Sequence, residues 1–165
     1  MNQTNTLKTA VFAGGCFWGV EHLMQQIPGV VDVQSGYTGG SVQAPSYEHV
    51  KTGTTGHFEA VCVTYDSSKT DYETLAKLFF EIHDPTQTNG QGPDIGSQYR
   101  SAVFYADESQ KQIAEKLIAI LKQKGYAVVT QVLPLQTFWP AEEYHQNYYV
   151  RKGTEPYCHM RVKRF

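Results

Sequence analysis

Short β-branched and aromatic runs alternate with helical patterns along the chain. Strands are predicted in TAVFAGG, GVVDVQSGYTGG, FEAVCVTYD, YRSAVFYA and AVVTQVL. Apolar residues at helical spacing predict a helix that begins at Phe17 and is ended by Pro28 and Gly29. The segment AEEYHQNYY predicts a further short helix near the C-terminus.

Two other helices carry recognisable caps. The segment from Thr70 to Glu73 has the pattern of a capping box, and Asp107 is a candidate N-cap for a helix whose C-cap is Gly125. The buried faces of these helices are predicted to carry Leu75, Phe79 and Ile82 in the first, and Ile113, Leu117, Ile120 and Leu121 in the second.

The order β-α-β-β-α-β-α-β-α predicts the α+β class, as a two-layer sandwich with a mixed β-sheet related to the ferredoxin-like split βαβ fold. We expect one catalytic domain over residues 1–165, with a flexible N-terminus at 1–7 and an irregular tail at 150–165. The long loop PTQTNGQGPDIGSQ is a candidate site, because unstructured loops of this length are usually functional.

Composition narrows the class of function. The net charge of −2 argues against a dedicated nucleic-acid binder, which would carry a clustered basic excess. No apolar run approaches the roughly 18 residues that a membrane span needs. The polar start MNQTNTLK lacks a hydrophobic signal core, so we expect a cytoplasmic protein that does not bind a membrane. We also expect it to be a monomer.

The three cysteines are Cys16, Cys62 and Cys158, and none lies in a C-x-x-C motif. A structural zinc site and a secreted disulfide framework are therefore both disfavoured. Cys16 follows a strand and a glycine pair at a helix start, where unpaired N–H groups and the helix dipole lower a thiol pKa. A buried, inert cysteine is the alternative for this position.

Glu59 stands at the head of the strand FEAVCVTYD, where a half-buried carboxyl has a raised pKa and can donate a proton. A solvent-facing strand residue is the alternative. Cys62 lies an odd number of positions away, so it points to the opposite face of the strand and is predicted to be structural.

Cys158 follows Tyr149 by nine residues, a length that can span up to roughly 30 Å when extended. It can therefore act as a mobile second thiol, or it can be an idle exposed cysteine. A hydrolase would instead need a histidine beside Cys16, for which His57 and His145 are the candidates.

Five motifs occur in order along nearly the whole chain: GCFWG, GYTGG, GHFE, DIGSQYRS and FWPAEEYHQ. Together they resemble the class A peptide-methionine sulfoxide reductases. The resemblance implies that Cys16 is the nucleophile and that Glu59 protonates the sulfoxide oxygen. It also implies that Tyr37 and Tyr99 donate hydrogen bonds to that oxygen, and that Asp94 helps to position water or substrate.

The resemblance further implies that Phe17 and Trp18 hold the substrate methyl group. Methionine-S-sulfoxide, in proteins and as the free amino acid, would be the substrate. No metal or bound organic cofactor would be needed. Cys158 would resolve the oxidised Cys16 as a disulfide, which thioredoxin would reduce.

The chain departs from the family pattern at three places. Ser97 replaces a threonine, and Phe58 stands where a smaller residue is frequent and could narrow the mouth of the site. Cys158 is the single cysteine after the catalytic segments. Two other functions stay open: a cysteine hydrolase, and a non-catalytic module that binds oxidised methionine or another apolar ligand.

Overall fold

The structure, a computed structural model, describes residues 6–153, 159 and 161–165. The predicted resolving cysteine, Cys158, and most of the predicted flexible N-terminus lie outside the described residues. The strands are β1 (Leu7–Gly14), β2 (Val30–Thr38), β3 (Phe58–Asp66), β4 (Gly90–Gln91), β5 (Asp94–Ile95), β6 (Ser101–Tyr105), β7 (Gln131–Pro134) and β8 (Trp139–Pro140). The helices are α1 (Phe17–Met24), α2 (Tyr47–Lys51), α3 (Tyr72–Ile82), α4 (Glu108–Gln123) and α5 (Tyr148–Lys152), with 3₁₀ helices at Ser97–Tyr99 and Glu143–His145.

The main sheet of the described residues has the order β7-β6-β1-β3-β2-β8. The β6–β7 pair is parallel and the other pairs are antiparallel. Within it, β1-α1-β2-β3-α3-β6 with the spatial order β6-β1-β3-β2 is the split βαβ arrangement. The predicted α+β class, mixed sheet and ferredoxin-like relationship are confirmed.

Strand alternation divides the buried side chains between the two faces of the sheet. On one face, strand residues such as Phe12 and Val61 pack against α1, α3 and α4. On the other, a second apolar cluster contains Val11, Ala60 and Phe104. The site lies at the helix-covered face, beside the end of the interior strand β1, where α1 begins.

Local signals predicted most elements, but tertiary contacts moved several boundaries. The cap of α3 is Asp71, whose carboxylate accepts the Thr74 N–H at 2.8 Å, and not Thr70. The predicted AVVTQVL strand is shorter and begins at Gln131. The long loop before β6 contains the β4–β5 hairpin and a 3₁₀ turn.

Residues at the inner boundary of each predicted flexible or irregular end belong to regular elements. Leu7 already pairs with Asp66 in the sheet, and α5 extends to Lys152, inside the predicted tail. The predicted helix over AEEYHQNYY is instead a 3₁₀ turn followed by α5. Asn147 separates the two, because its left-handed φ of 55° interrupts the helix.

The described end of the chain lies against α3. Val162 donates its N–H to the Glu81 carbonyl oxygen at 2.7 Å, and the Arg161 guanidinium pairs with the Glu81 carboxylate at 2.9 Å. Phe165 packs on Phe80 with ring centroids 6.4 Å apart. Among the residues described here, no helix has both the length and the apolar character to cross a membrane.

Candidate active site

Cys16 lies at the junction between β1 and α1. It is 8% exposed and has the non-helical φ and ψ of −56° and 122° that precede the first helical turn. Gly15 has φ +92°, and a Cβ on it would lie 2.6 Å from Gln91 Cβ. The glycine therefore allows the close turn that places the sulfur near the unpaired N–H groups and positive dipole end of α1.

The carboxyl of Glu59 reaches the same helix end. Its Oε1 accepts the N–H of Phe17 at 3.2 Å, and the side chain is 2% exposed. Glu59 thus lies on the helix-covered face of β3, while Cys62 belongs to the cluster on the opposite face. Burial, followed by the charge of Asp32, raises the pKa of the Cys62 thiol.

Two phenols share the electrostatic environment of Cys16 and Glu59. Burial is the largest cause that raises the pKa of Tyr99. Nearby ionisable groups raise it further, in the order Glu59, Tyr47, Asp94 and Cys16. Burial, followed by Glu59 and Cys16, raises the pKa of Tyr47 to about 12. These residues come together in one site, and Tyr47 is a member that sequence reasoning missed.

Tyr37 also lies at the site, directly across the strand pair from Glu59. Its hydroxyl donates to Glu142 Oε1 at 2.9 Å, and Glu142 Oε2 accepts the Tyr47 N–H at 3.0 Å. Burial first, and then this hydrogen bond, raises the pKa of the Tyr37 phenol. Sequence reasoning missed Glu142, although it lies in the motif FWPAEEYHQ, and it did not foresee that Tyr37 has a carboxylate partner.

Aromatic rings line the start of α1. Phe17 is 1% exposed and packs on Tyr37 and His145, with ring centroids 5.7 Å and 5.3 Å away. The Trp18 Nε1–H donates to His145 Nδ1 at 3.0 Å, and the indole stacks on Tyr148 with centroids 3.8 Å apart. We call Trp18, His145 and Tyr148 the aromatic wall.

The two histidines considered for a hydrolase are engaged elsewhere. His57 Nδ1 accepts the Gly40 N–H at 3.1 Å, and its Nε2–H donates to the Val42 carbonyl at 2.6 Å. The Nδ1 lone pair of His145 is used by Trp18, and burial lowers the pKa of His145. In this geometry, the accepting nitrogen of each ring is occupied, so neither is placed to deprotonate Cys16.

Two of the three departures from the family pattern, Phe58 and Ser97, lie among the described residues. Phe58 packs edge-on against Phe104 on the opposite sheet face from Glu59, so the expectation that it narrows the mouth of the site is wrong. Strand alternation is the reason. Ser97 Oγ donates to the Gly53 carbonyl at 3.3 Å and joins two loops.

The residues described contain no group of three or more histidine, cysteine, aspartate or glutamate side chains arranged to hold a metal ion.

The chain matches a known protein family. The family model for peptide methionine sulfoxide reductase matches residues 8–165. The chain belongs to this family. The peptide methionine sulfoxide reductase MsrA of Nautilia profundicola is 52% identical over 149 residues, which cover 90% of this chain and 86% of the relative.

Solved structures agree with the membership in this reductase family. The reduced form of Mxr1 from Saccharomyces cerevisiae is 32% identical with a TM-score of 0.90, and the match covers 100% of this chain and 96% of Mxr1. A structure of Mxr1 in complex with Trx2 has a TM-score of 0.66 at 22% identity, covering 98% of this chain and 94% of that one. The second match concerns the fold alone.

Glu142 offers a test of the polar contacts that support the site. We expect Glu142→Ala to lower the free energy of unfolding by about 1–3 kcal/mol, because it leaves the Tyr37 hydroxyl and Tyr47 N–H without an acceptor. Glu142→Gln keeps one acceptor oxygen and should lose less. Urea unfolding measures both, with the exposed neighbour Glu143→Ala as control. Wild-type stability in Glu142→Ala would contradict the role of these hydrogen bonds.

Proposed function

We propose that this reductase converts methionine-S-sulfoxide, in proteins and as the free amino acid, to methionine. The observation that carries the proposal is the contact between Glu59 and the Phe17 N–H, which brings a buried carboxyl to the helix terminus where Cys16 lies. A nucleophile and an acid side by side suit a substrate whose sulfur is attacked while its oxygen is protonated.

In the proposed first step, the Cys16 thiolate attacks the sulfoxide sulfur. Glu59 gives a proton to the oxygen, because oxide is a poor leaving group, and burial of a carboxyl favours its protonated form. Tyr99 and Tyr37 donate hydrogen bonds to that oxygen, and Asp94 helps to position water or substrate. The attack forms a bond between the two sulfur atoms. The hydroxyl then passes from the substrate sulfur to the Cys16 sulfur, the sulfur–sulfur bond and the substrate sulfur–oxygen bond break, methionine leaves, and Cys16 becomes sulfenic acid.

Substrate recognition in this proposal combines two chemistries. Phe17 and Trp18 contact the apolar S-methyl group, while the carboxyl and the phenols bind the oxygen on the same sulfur. Donors fixed in advance around one oxygen act like an oxyanion hole. Because a phenol has one O–H, Tyr37 must release its hydrogen bond to Glu142 when it donates to the sulfoxide oxygen.

Regeneration requires a second thiol. Condensation of the sulfenic acid with Cys158 forms a disulfide and releases water, and a dithiol reductant returns both cysteines to thiols. His159, the neighbour of Cys158 in sequence, supports this pairing, because its Nε2–H donates to the Gly14 carbonyl at 2.7 Å, next to the turn that carries Cys16. We propose thioredoxin as the reductant, by analogy with the Mxr1 complex, and a cytoplasmic location. The electrons come from thiols, so the cycle needs no metal or organic cofactor.

Reduction of racemic methionine sulfoxide tests the function directly. With dithiothreitol as reductant, we expect methionine formation to stop when half of the racemate is consumed, because one epimer fits the site. Cys16→Ser should abolish the reaction, and Cys62→Ser should retain it. Absence of methionine with the wild type would eliminate the proposal. Turnover of thioesters without reductant would favour the hydrolase, and binding without turnover would favour the non-catalytic module.

Glu59→Gln tests the proton donor. We expect the single-turnover rate of methionine release to fall roughly 100-fold or more, the typical effect of removing a general acid. The exposed carboxyl of Glu48 provides the control, since Glu48→Gln should react at the wild-type rate. A near-normal rate in Glu59→Gln would transfer the proton donation to the tyrosines or to water.

Cys158→Ser tests the resolving thiol. The variant should release about one methionine per enzyme, because the first step needs only Cys16, and should then fail to cycle with thioredoxin. Cys62→Ser is the matched control and should cycle normally. Thioredoxin-driven turnover of Cys158→Ser at the wild-type rate would rule out this assignment.

A further inference from the structure

One side of α1 binds the segment that carries the aromatic wall. Trp18, Glu21 and Gln25 are three and four residues apart, so they project from the same side of the helix. Glu21 Oε1 accepts the Asn147 N–H at 2.8 Å, and Gln25 Nε2 donates to Asn147 Oδ1 at 2.6 Å. Trp18 contacts His145 and stacks on Tyr148. Polar contacts therefore hold the turn between these two wall residues.

The turn itself depends on an acceptor. Asn147 has φ 55° and ψ 38°, a left-handed conformation that asparagine adopts more readily than most residues other than glycine. In this conformation the Asn147 N–H points to the Glu21 carboxyl and donates to its Oε1. Gln146 adds bonds to both backbone groups of Ser35, at 2.9 Å each. Glu21 is the acceptor on which the position of Tyr148 depends.

The Glu21 carboxyl is 1% exposed. Burial is the largest influence on its pKa and raises it to about 7, with the charge of Asp32 on β2 adding to the increase. Polar groups nearby lower the pKa of Glu21, in the order Asn147 N–H, Tyr148 N–H and Ser35 hydroxyl. Among the described residues that pack around Glu21, Asp32 is the side chain whose charge raises this pKa. Both protonation states are therefore populated near neutral pH.

We propose that Glu21 is a positioning residue whose ionised carboxylate holds the aromatic wall in the arrangement that binds methionine sulfoxide, so that its protonation weakens substrate binding without slowing the chemical step. The ionised form accepts the Asn147 N–H in a charge-assisted hydrogen bond, which is stronger than a bond to a neutral acceptor. Protonation removes the negative charge, so the hydrogen bond from the Asn147 N–H becomes a weaker bond to a neutral acceptor. The inference rests on the proposed function for its substrate, and it adds a residue that acts through Tyr148 and Trp18.

The first test is Glu21→Gln, which has the shape and hydrogen-bonding pattern of the protonated form. In single-turnover reactions at pH 8, we expect the substrate concentration for half-maximal rate to rise about fivefold to tenfold, the effect of replacing a hydrogen bond to a charged acceptor with one to a neutral acceptor. The rate at saturating substrate should stay within about twofold, because the reacting groups are unchanged. In the wild type, the half-saturating concentration should rise as pH falls from 8 to 6, and in Glu21→Gln it should stay constant.

The second test is Asp32→Asn, which leaves the wall and its contacts intact. Removal of this negative charge should lower the pKa of Glu21 and move the midpoint of the wild-type pH dependence downward by a few tenths of a unit. Glu48→Gln, another loss of an exposed carboxylate, should leave the midpoint unchanged. The Asp32→Asn variant tests the role of Glu21 even if Glu21→Gln does not fold.

A binding-independent measurement separates this inference from the proposed function. Near-ultraviolet circular dichroism of unliganded Cys16→Ser should report the Trp18–Tyr148 stack and titrate with a midpoint near pH 7, and Glu21→Gln should remove that titration. Failure to form methionine would reject the function and leave the titration intact. A flat titration, an unchanged half-saturating concentration in Glu21→Gln, or a saturated rate that falls by the same factor would overturn the role of Glu21.

Discussion

The hydrogen bond from the Phe17 N–H to the Glu59 carboxyl is the contact on which the site depends. It joins the first turn of α1 to the head of β3, and so joins the element that carries the thiol to the element that carries the acid. The carboxyl is buried, and buried carboxyls need polar partners. The first turn of a helix supplies N–H groups that have no partner within the helix. The contact therefore gives a hydrogen-bond partner both to the Glu59 carboxyl and to the Phe17 N–H.

Close backbone approach makes this arrangement possible. The turn before Cys16 runs against Gln91 and His159, and a side chain on Gly15 or Gly19 would overlap them. A Cβ on Gly19 would lie 2.2 Å from His159 Nδ1. The glycines that flank the thiol thus admit two distant parts of the chain, the β4–β5 hairpin and the C-terminal segment, into contact with α1.

The segment after β8 completes the site from the opposite side. It contributes Glu142 to Tyr37, His145 to Trp18, and Asn147 to Glu21. Each contact joins a polar or aromatic group near α1 to a residue more than 100 positions away. α1 and the turn before it therefore contact four chain segments: β3, the β4–β5 hairpin, the segment around His159 and the segment after β8.

The sequence by itself determined the split βαβ order, the position of Cys16 at a helix start, and the opposite faces of Glu59 and Cys62. These features follow from local periodicity, turn residues and strand alternation, and the motifs in order indicated the family. Only the tertiary structure decided that Tyr37 is bonded to Glu142, that Tyr47 shares the site, and that Glu21 supports the turn at Asn147. These contacts join residues separated by up to 126 positions, or depend on how loops pack, and local patterns carry no information about which distant partner fills a buried hydrogen bond.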